Sequence, residues 1–233
     1  MNIIITGATK GIGLALVKLF ALQGFNVAFC ARTVDAVNGL VAELQNKYPT
    51  QSFFGQSVDM REKTQVKAFG KEVLAHFKTI DILVNNAGVF LPGAISKEDE
   101  DTLETLIETN VYSAYHLTRT ILPAMIAQND GHIFNMCSIA SITAYPTGGS
   151  YSISKFALLG FSKVLREELK PKNIRVTALL PGATLTPAWG ETSLPESRFM
   201  AADDIAKIVL NVWNLGKSTV VEEILIRPQL GDI

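Results

Sequence analysis

Residues Thr6 to Gly13 read Thr-Gly-Ala-Thr-Lys-Gly-Ile-Gly and join a β-branched run, Asn2–Thr6, to a stretch with helical patterning that starts at Gly11. Gly7 permits a tight turn. Gly11 lets the backbone approach a bulky anion with no Cβ in the way, and Gly13 allows a helix to pack closely on a strand. The helix N-terminus behind the turn presents unpaired N–H groups and a partial positive charge. A turn of this kind at the first strand–helix junction predicts a dinucleotide pyrophosphate site built from Gly7, Thr9, Lys10, Gly11, Ile12 and Gly13. Lys10 is followed by Gly11 rather than by Ser or Thr, so a Walker A loop is a poor match.

Working outward, short β-branched runs alternate with longer helical stretches. The strand candidates are Asn2–Thr6, Asn26–Ala31, Gln51–Ser57, Asp81–Asn85, Gly131–Cys137, Asn173–Leu180 and Glu223–Ile226. They read as apolar on both faces, as strands of a helix-covered parallel sheet must be. Helices are predicted over about Gly11–Gln23, Val34–Lys47, Arg61–His76, Asp101–Gln128, Ser150–Lys170 and Ala202–Leu215. This alternation implies right-handed βαβ units and an α/β fold: a Rossmann-type doubly wound parallel sheet of about seven strands with helices on both faces. No linker or repeat interrupts it, so residues 1–233 are read as one catalytic domain. The most loop-like stretch, Gly182–Arg198, carries Pro187, Gly190 and Pro195 and is placed where a lid over a substrate would lie. In such a sheet the ligand site lies beyond the carboxyl ends of the strands.

Composition narrows the function classes. The chain has 233 residues, 48% of them hydrophobic, enough for one sizeable core. A net charge of -1 gives no basic excess for nucleic acid or an anionic membrane. The two cysteines, Cys30 and Cys137, fall in strands and are read as reduced apolar fillers. No signal-peptide pattern precedes the first strand, and no apolar run reaches the about 18 residues of a membrane span. A soluble cytoplasmic protein is expected. His76, His116 and His132 are scattered without metal-ligand spacing, are read as surface or helix-end residues, and no metal is expected. Ser138 lies outside any Gly-x-Ser-x-Gly elbow.

The second strand ends in Ala31, Arg32 and Thr33. Folds that select NAD place an acid here for the ribose 2′-hydroxyl. An acid would repel a 2′-phosphate, whereas a guanidinium binds it through two parallel hydrogen bonds. Arg32, with Lys10 in the neighbouring turn and no acid, predicts NADP(H).

In order, the chain then presents Thr6–Gly13, Asn-Asn-Ala-Gly at Asn85–Gly88, Asn110, Ser138, Tyr-Ser-Ile-Ser-Lys at Tyr151–Lys155, and Pro181-Gly182 followed by Thr186. In these motifs, from the first turn to about Thr186, the chain resembles the short-chain dehydrogenase/reductase family. The resemblance implies an oxidoreductase whose catalytic set is Asn110, Ser138, Tyr151 and Lys155. It implies that Asp59 contacts the adenine, although an N-cap for the helix near Arg61 is the competing reading. Asn86, Ala87 and Gly88 would lie against the adenosine ribose, while Asn85 ties central strands together. Pro181, Gly182 and Thr184 would turn near the nicotinamide, with Thr186 reaching its carboxamide or the pyrophosphate. Asn110 would hold a water of a proton relay to Lys155, and Ser138 would donate to the developing oxyanion.

Tyr151 and Lys155 are four residues apart on a predicted helix, hence on one face. An unperturbed tyrosine, at about pKa 10, is too weak an acid for efficient proton transfer at neutral pH. A neighbouring ammonium is expected to lower it, and the resemblance implies that Lys155 also bonds the nicotinamide ribose. The function expected is hydride transfer between NADP(H) and a small-molecule carbonyl or secondary alcohol. The alternatives are a 3-oxoacyl-thioester reductase, which the tail Val220–Ile233 weakens by lacking an Asp-Gly-Gly-like ending, and a noncatalytic NADP(H)-binding sensor or scaffold. Surplus apolar residues on two helices (Leu106, Ile107, Tyr115, Ile121, Met125, Phe156, Leu159, Phe161 and Val164) suggest a second buried face and a homodimer or homotetramer.

Overall fold

The computed structural model describes every residue from Met1 to Ile233. In chain order the elements are β1 (Asn2–Thr6), α1 (Gly11–Leu22), β2 (Asn26–Ala31), α2 (Val34–Lys47), β3 (Phe53–Ser57), α3 (Lys63–Phe77), β4 (Ile82–Asn85), α4 (Thr102–Ile107), α5 (Ser113–Gln128), β5 (Gly131–Met136), α6 (Gly149–Leu169), β6 (Ile174–Pro181), α7 (Ala202–Trp213) and β7 (Glu223–Ile226). All seven strands are parallel, in the order β3-β2-β1-β4-β5-β6-β7. The winding reverses between β1 and β4, which opens a crevice beyond their carboxyl ends. The doubly wound sheet expected from the sequence is the one observed.

Period-two alternation divides the core. Ile3 and Ile5 of β1 join Val27, Phe29 and Val84 on one face, under Phe20 of α1 and Val209 of α7. Ile4 points the other way, to Cys30, Leu83, Phe69 of α3 and Leu117 of α5. All three isoleucines are fully buried. Each such side chain contributes about 1.5–3 kcal/mol. Cys30 and Cys137 are free and buried, as expected, and burial pushes their thiols up to about 12 and about 11. No helix is long and apolar enough to cross a membrane.

Several expectations are corrected. β3 and β7 are edge strands, and β7 alternates exposed and half-buried residues instead of being apolar on both faces. The single helix expected over Asp101–Gln128 is two helices separated by a π-helical turn, Glu108–Tyr112, in which Ser113 N donates to Glu108 O. The turn accommodates one extra residue and rotates Asn110 inward. Of the apolar surplus, Leu106, Ile121, Met125 and Leu159 are buried against the body of the protein, whereas Tyr115, Phe156 and Val164 remain exposed, together with Tyr112 and Ile153.

His132 is neither a surface nor a helix-end residue. It lies fully buried in β5, its ring 3.9 Å from that of Phe134. Thr177 Oγ1 donates to Val221 O at 2.6 Å and must therefore accept from His132 Nε2–H at 2.8 Å. Nδ1 is left unprotonated and without a partner. Burial, aided by Arg175, pushes the imidazole down to about 2. An unfolded histidine titrates at about 6.5, so below that pH the unfolded chain takes up a proton the native state refuses. Stability should fall by up to about 1.4 kcal/mol per pH unit as the pH drops below about 6.5, and this contribution should be flat above it. Urea unfolding at about pH 7 and about pH 5 checks this; His132→Asn should narrow the difference.

Candidate active site

The turn after β1 is held from the side by the end of β4. Thr6 Oγ1 accepts from Asn86 N at 3.0 Å and from Ala87 N at 2.9 Å. Asn86 Nδ2 donates to Thr6 O at 2.8 Å and Gly7 O at 3.2 Å. Gly7 has φ +66°, and a Cβ there would stand 2.9 Å from Ala87 Cα; one on Gly13 would meet Gly7 O at 2.2 Å. Any side chain at either position would break the turn. Thr9 and Ile12 are half-buried in it, and Lys10 is exposed at its rim. Asn86 therefore stitches the turn, and Ala87 and Gly88 are left to face the cleft. Asn85 behaves as expected: its Nδ2 donates to Asn135 Oδ1 at 2.8 Å, across β4 and β5.

Beyond β2, Arg32 and Thr33 are exposed, and Arg32 O accepts from Ser57 Oγ at 2.8 Å. Asp59 follows β3. Its carboxylate accepts from Arg61 N at 3.0 Å and pairs with Arg61 Nη2 at 2.9 Å, and this pairing, ahead of the charge of Arg32, holds it below the usual carboxylate range. Asp59 is not the N-cap of α3, a position occupied by Glu62.

Ser138, Tyr151, Lys155 and Asn110 converge beyond β5. Ser138 is buried, and its Oγ accepts from Ala140 N at 3.1 Å, which leaves its proton free to donate. Lys155 is buried on α6, and its Nζ donates to Met136 O at 2.8 Å while lying 5.8 Å from the centre of the Tyr151 ring. Burial pulls the ammonium down to about 8. A Cβ on Gly88 would stand 3.0 Å from Asn110 Oδ1 and 3.5 Å from Lys155 Nζ, so the lysine end lies over Gly88 and Asn110. Asn110 Oδ1 accepts from Val89 N at 2.8 Å, and its Nδ2 donates to Val89 O at 3.1 Å and Ser154 Oγ at 2.9 Å. The expected lowering of the Tyr151 phenol is corrected: burial raises it, and the Ser138 hydroxyl opposes this only in part. Desolvation of the phenolate outweighs the hydrogen bond from Ser138.

Beyond β6, Gly182 N donates to Ile226 O at 2.8 Å. Thr184 Oγ1 donates to Gly182 O at 3.1 Å, so Pro181, Gly182 and Thr184 form a closed turn at the strand end. Thr186 reaches the first turn, its Cγ2 lying 3.0 Å from where a Cβ on Gly11 would stand. The foot of the following loop is laced by Leu185 N to Met200 O and Met200 N to Ala183 O, both 2.9 Å. Trp189 Nε1 donates to Thr184 O at 2.9 Å.

Residues 1–197 match the pattern of the family described as short chain dehydrogenase. The chain belongs to that family. It is an oxidoreductase with the family's Rossmann-type fold. Sepiapterin reductase of Chlorobaculum tepidum is 31% identical over 99% of this chain and 97% of its own. The 3-oxoacyl-[acyl-carrier-protein] reductase of Chlamydia trachomatis is 31% identical over 95% and 93%. Among solved structures, the alcohol dehydrogenase of Thermococcus sibiricus complexed with 5-hydroxy-NADP superimposes with a TM-score of 0.92 at 27% identity, covering 100% of this chain and 98% of that one.

Sequence reasoning missed four contributors. Thr6 stood in the quoted motif only as the residue before Gly7. Ser154 lies inside the Tyr151–Lys155 motif yet had no assigned task, and Phe90 was passed over although it follows the Asn85–Gly88 motif directly. Glu98 carried no signal at all. Its carboxylate accepts from Ser150 N at 2.9 Å and Ser150 Oγ at 2.5 Å, closing the N-terminus of α6 one residue before Tyr151. An anion there satisfies an orphan N–H and meets the positive end of the helix dipole. Glu98→Ala should lower stability in urea unfolding by about 1–2 kcal/mol, and a loss below about 0.3 kcal/mol would show that the clamp carries no weight.

Proposed function

We propose that this short-chain dehydrogenase reduces a ketone or aldehyde with NADPH, reversibly, with Tyr151 as the proton donor. The observation that carries the reading is the convergence of buried Ser138 and Lys155 on half-buried Tyr151, with the lysine end over Gly88 and Asn110. Bound NADPH would supply the hydride that reaches the carbonyl carbon. The residues present fit that cofactor. Gly7, Gly11 and Gly13 keep Cβ atoms out of the pyrophosphate turn, and the approach of Thr186 to Gly11 favours its hydroxyl for the pyrophosphate. Lys10 and Arg32 are exposed, and neither is taken up in an ion pair, which leaves both for a 2′-phosphate. Asp59 would border the adenine with Arg61 beside it. Ala87 and Gly88 would present backbone to the adenosine ribose, and Pro181, Gly182 and Thr184 would border the nicotinamide.

The chain's own part follows from its donors. Ser138 keeps one proton to give and would hold the carbonyl oxygen, where charge develops during reduction. Tyr151, kept protonated by burial, would deliver its proton to that oxygen. Lys155 has two further N–H groups beyond the one given to Met136 O, and these would bond ribose hydroxyls and assist the phenol. Because both Asn110 amide hydrogens are already engaged, a relay water there would be held by an oxygen acceptor. The Gly182–Arg198 loop would act as the lid.

The exposed outer faces of α5 and α6, with Tyr112, Tyr115, Phe156 and Val164, support assembly as a homodimer or homotetramer. Light scattering at micromolar concentration should give the mass of two or four chains; the mass of one would overturn this.

Activity is tested with NADPH and a panel of carbonyl compounds that includes acyl thioesters. Tyr151→Phe should retain NADPH binding and lose turnover by about a hundredfold or more; retained turnover would remove Tyr151 from the donor role. NADPH should outcompete NADH, and Arg32→Asp should cut that preference about tenfold or more, equivalent to about 1.4 kcal/mol. A preference for NADH in the unmodified protein would overturn the cofactor assignment.

A further inference from the structure

Three aromatic rings from two loops form a chain that ends against the proposed proton donor, Tyr151. The Phe90 ring, from the loop after β4, stands edge-on to Tyr151 with centres 4.8 Å apart and planes at 77°. Trp189, from the loop after β6, lies 6.0 Å from Phe90. Phe199, at the foot of that loop, backs Trp189 edge-on at 5.0 Å. The indole is not free to swing away, because its Nε1 is tied to Thr184 O. Phe90 and Trp189 are half-buried, so part of each is not covered by protein.

No charged side chain belongs to this chain of rings. The ammonium near Tyr151 is that of Lys155, 5.8 Å from the ring centre; it donates to Met136 O, its end lies over Gly88, and its remaining N–H groups are those assigned above to the ribose and the phenol. Of the charged residues in the loop, Glu191 and Glu196 are exposed, and Arg198 donates to Asp232 O at 3.2 Å. An anionic substrate would lose its hydration here with no cation to receive it, and a polyhydroxylated one would set its hydroxyls against ring faces. A flat apolar body would lose nothing, and aromatic rings bind one with little loss of side-chain freedom.

We propose that the substrate is an uncharged carbonyl compound with a flat apolar body, held against Phe90 and Trp189 with its oxygen at Ser138 and Tyr151. This rests on the reading of Tyr151 as proton donor, and goes beyond it by naming the substrate class and the two side chains that select it.

Steady-state reduction with NADPH of acetophenone, para-acetylbenzoate and fructose tests it. The first two differ by a carboxylate remote from the reacting carbon, so carbonyl reactivity is nearly matched. Acetophenone should show a kcat/KM at least about tenfold above either of the others. Phe90→Ala and Trp189→Ala should each raise KM for acetophenone about tenfold, change kcat less, and shrink its advantage over para-acetylbenzoate. An equal or better kcat/KM for para-acetylbenzoate or fructose would overturn the proposal, as would variants that fold and leave the ratio unmoved. If a variant does not fold, the ratio measured on the unmodified protein still decides. Should the unmodified protein bind NADPH and reduce none of the three, nor any compound of a broad panel, the reading of the site itself falls and this proposal with it. Reduction of charged or polyhydroxylated compounds that Tyr151→Phe abolishes would overturn only the substrate class.

Discussion

Lys155 brings an ammonium to a place that is 5% exposed, and the hydrogen bond it makes there is with Met136 O. An ammonium has three donors, and withdrawing it from water without full pairing costs several kcal/mol. Burial accordingly pulls its titration down to about 8. A protein selected for stability alone would put an apolar side chain here. The incomplete donor set is intelligible where a bound molecule brings hydroxyl acceptors to the remaining N–H groups. The surroundings are shaped to the same end. Met136 closes β5, and Gly88 omits the side chain that would crowd Asn110 Oδ1 beside the ammonium.

Holding that lysine in place requires α6 to sit close on the sheet and not to slide. Three serines on its inner side perform this. Ser150 is gripped by Glu98, Ser154 accepts from Asn110, and Ser162 accepts from Asn135, itself bonded to Asn85. Their separations of four and eight residues keep them on one side of the helix. Each hydroxyl also spares a neighbouring polar group from lying buried without a partner. α6 is thus fastened to the β4 loop region, to the π-turn and to β5, the segments that also shape the cleft. The π-turn becomes understandable here: an unbroken helix over Thr102–Gln128 would leave Asn110 turned away from both Val89 and Ser154.

What the sequence disclosed and what it withheld separate along physical lines. The β-branched runs placed β1, β2 and β7 to the residue, because period and composition are local properties. The glycine turn and the Tyr151–Lys155 pair were legible because strict spacing on one element fixes geometry. Non-local pairings were not. The clamp of Glu98 on Ser150 spans 52 positions, and the edge-on contact of Phe90 with Tyr151 joins two segments. His132 looked like a surface residue because its hydrogen-bond partner, Thr177, lies on the neighbouring strand 45 positions away. The direction of the Tyr151 shift was misjudged for a related reason. Spacing reveals the ammonium beside the phenol but not the withdrawal of the phenol from water, which is the largest influence on it.

That reversal bears on the direction of the proposed reaction. A phenol raised above its ordinary value holds its proton across the neutral range, so the protein by itself presents a donor. Such a group is ready to protonate an oxygen on which negative charge is building, as in carbonyl reduction. Alcohol oxidation needs the phenolate, which burial disfavours. Lys155, though lowered to about 8, still carries its charge at neutral pH, but it does not reverse the effect of burial on the phenol. In the proposed reaction, burial of the phenol therefore suits the reducing direction. Oxidation depends on charge brought to the cleft from outside the protein, for which the positively charged nicotinamide of the oxidised cofactor is suited. On this argument the aromatic wall and the buried donor act together: excluding water from the substrate's oxygen is what keeps the Tyr151 proton where reduction requires it.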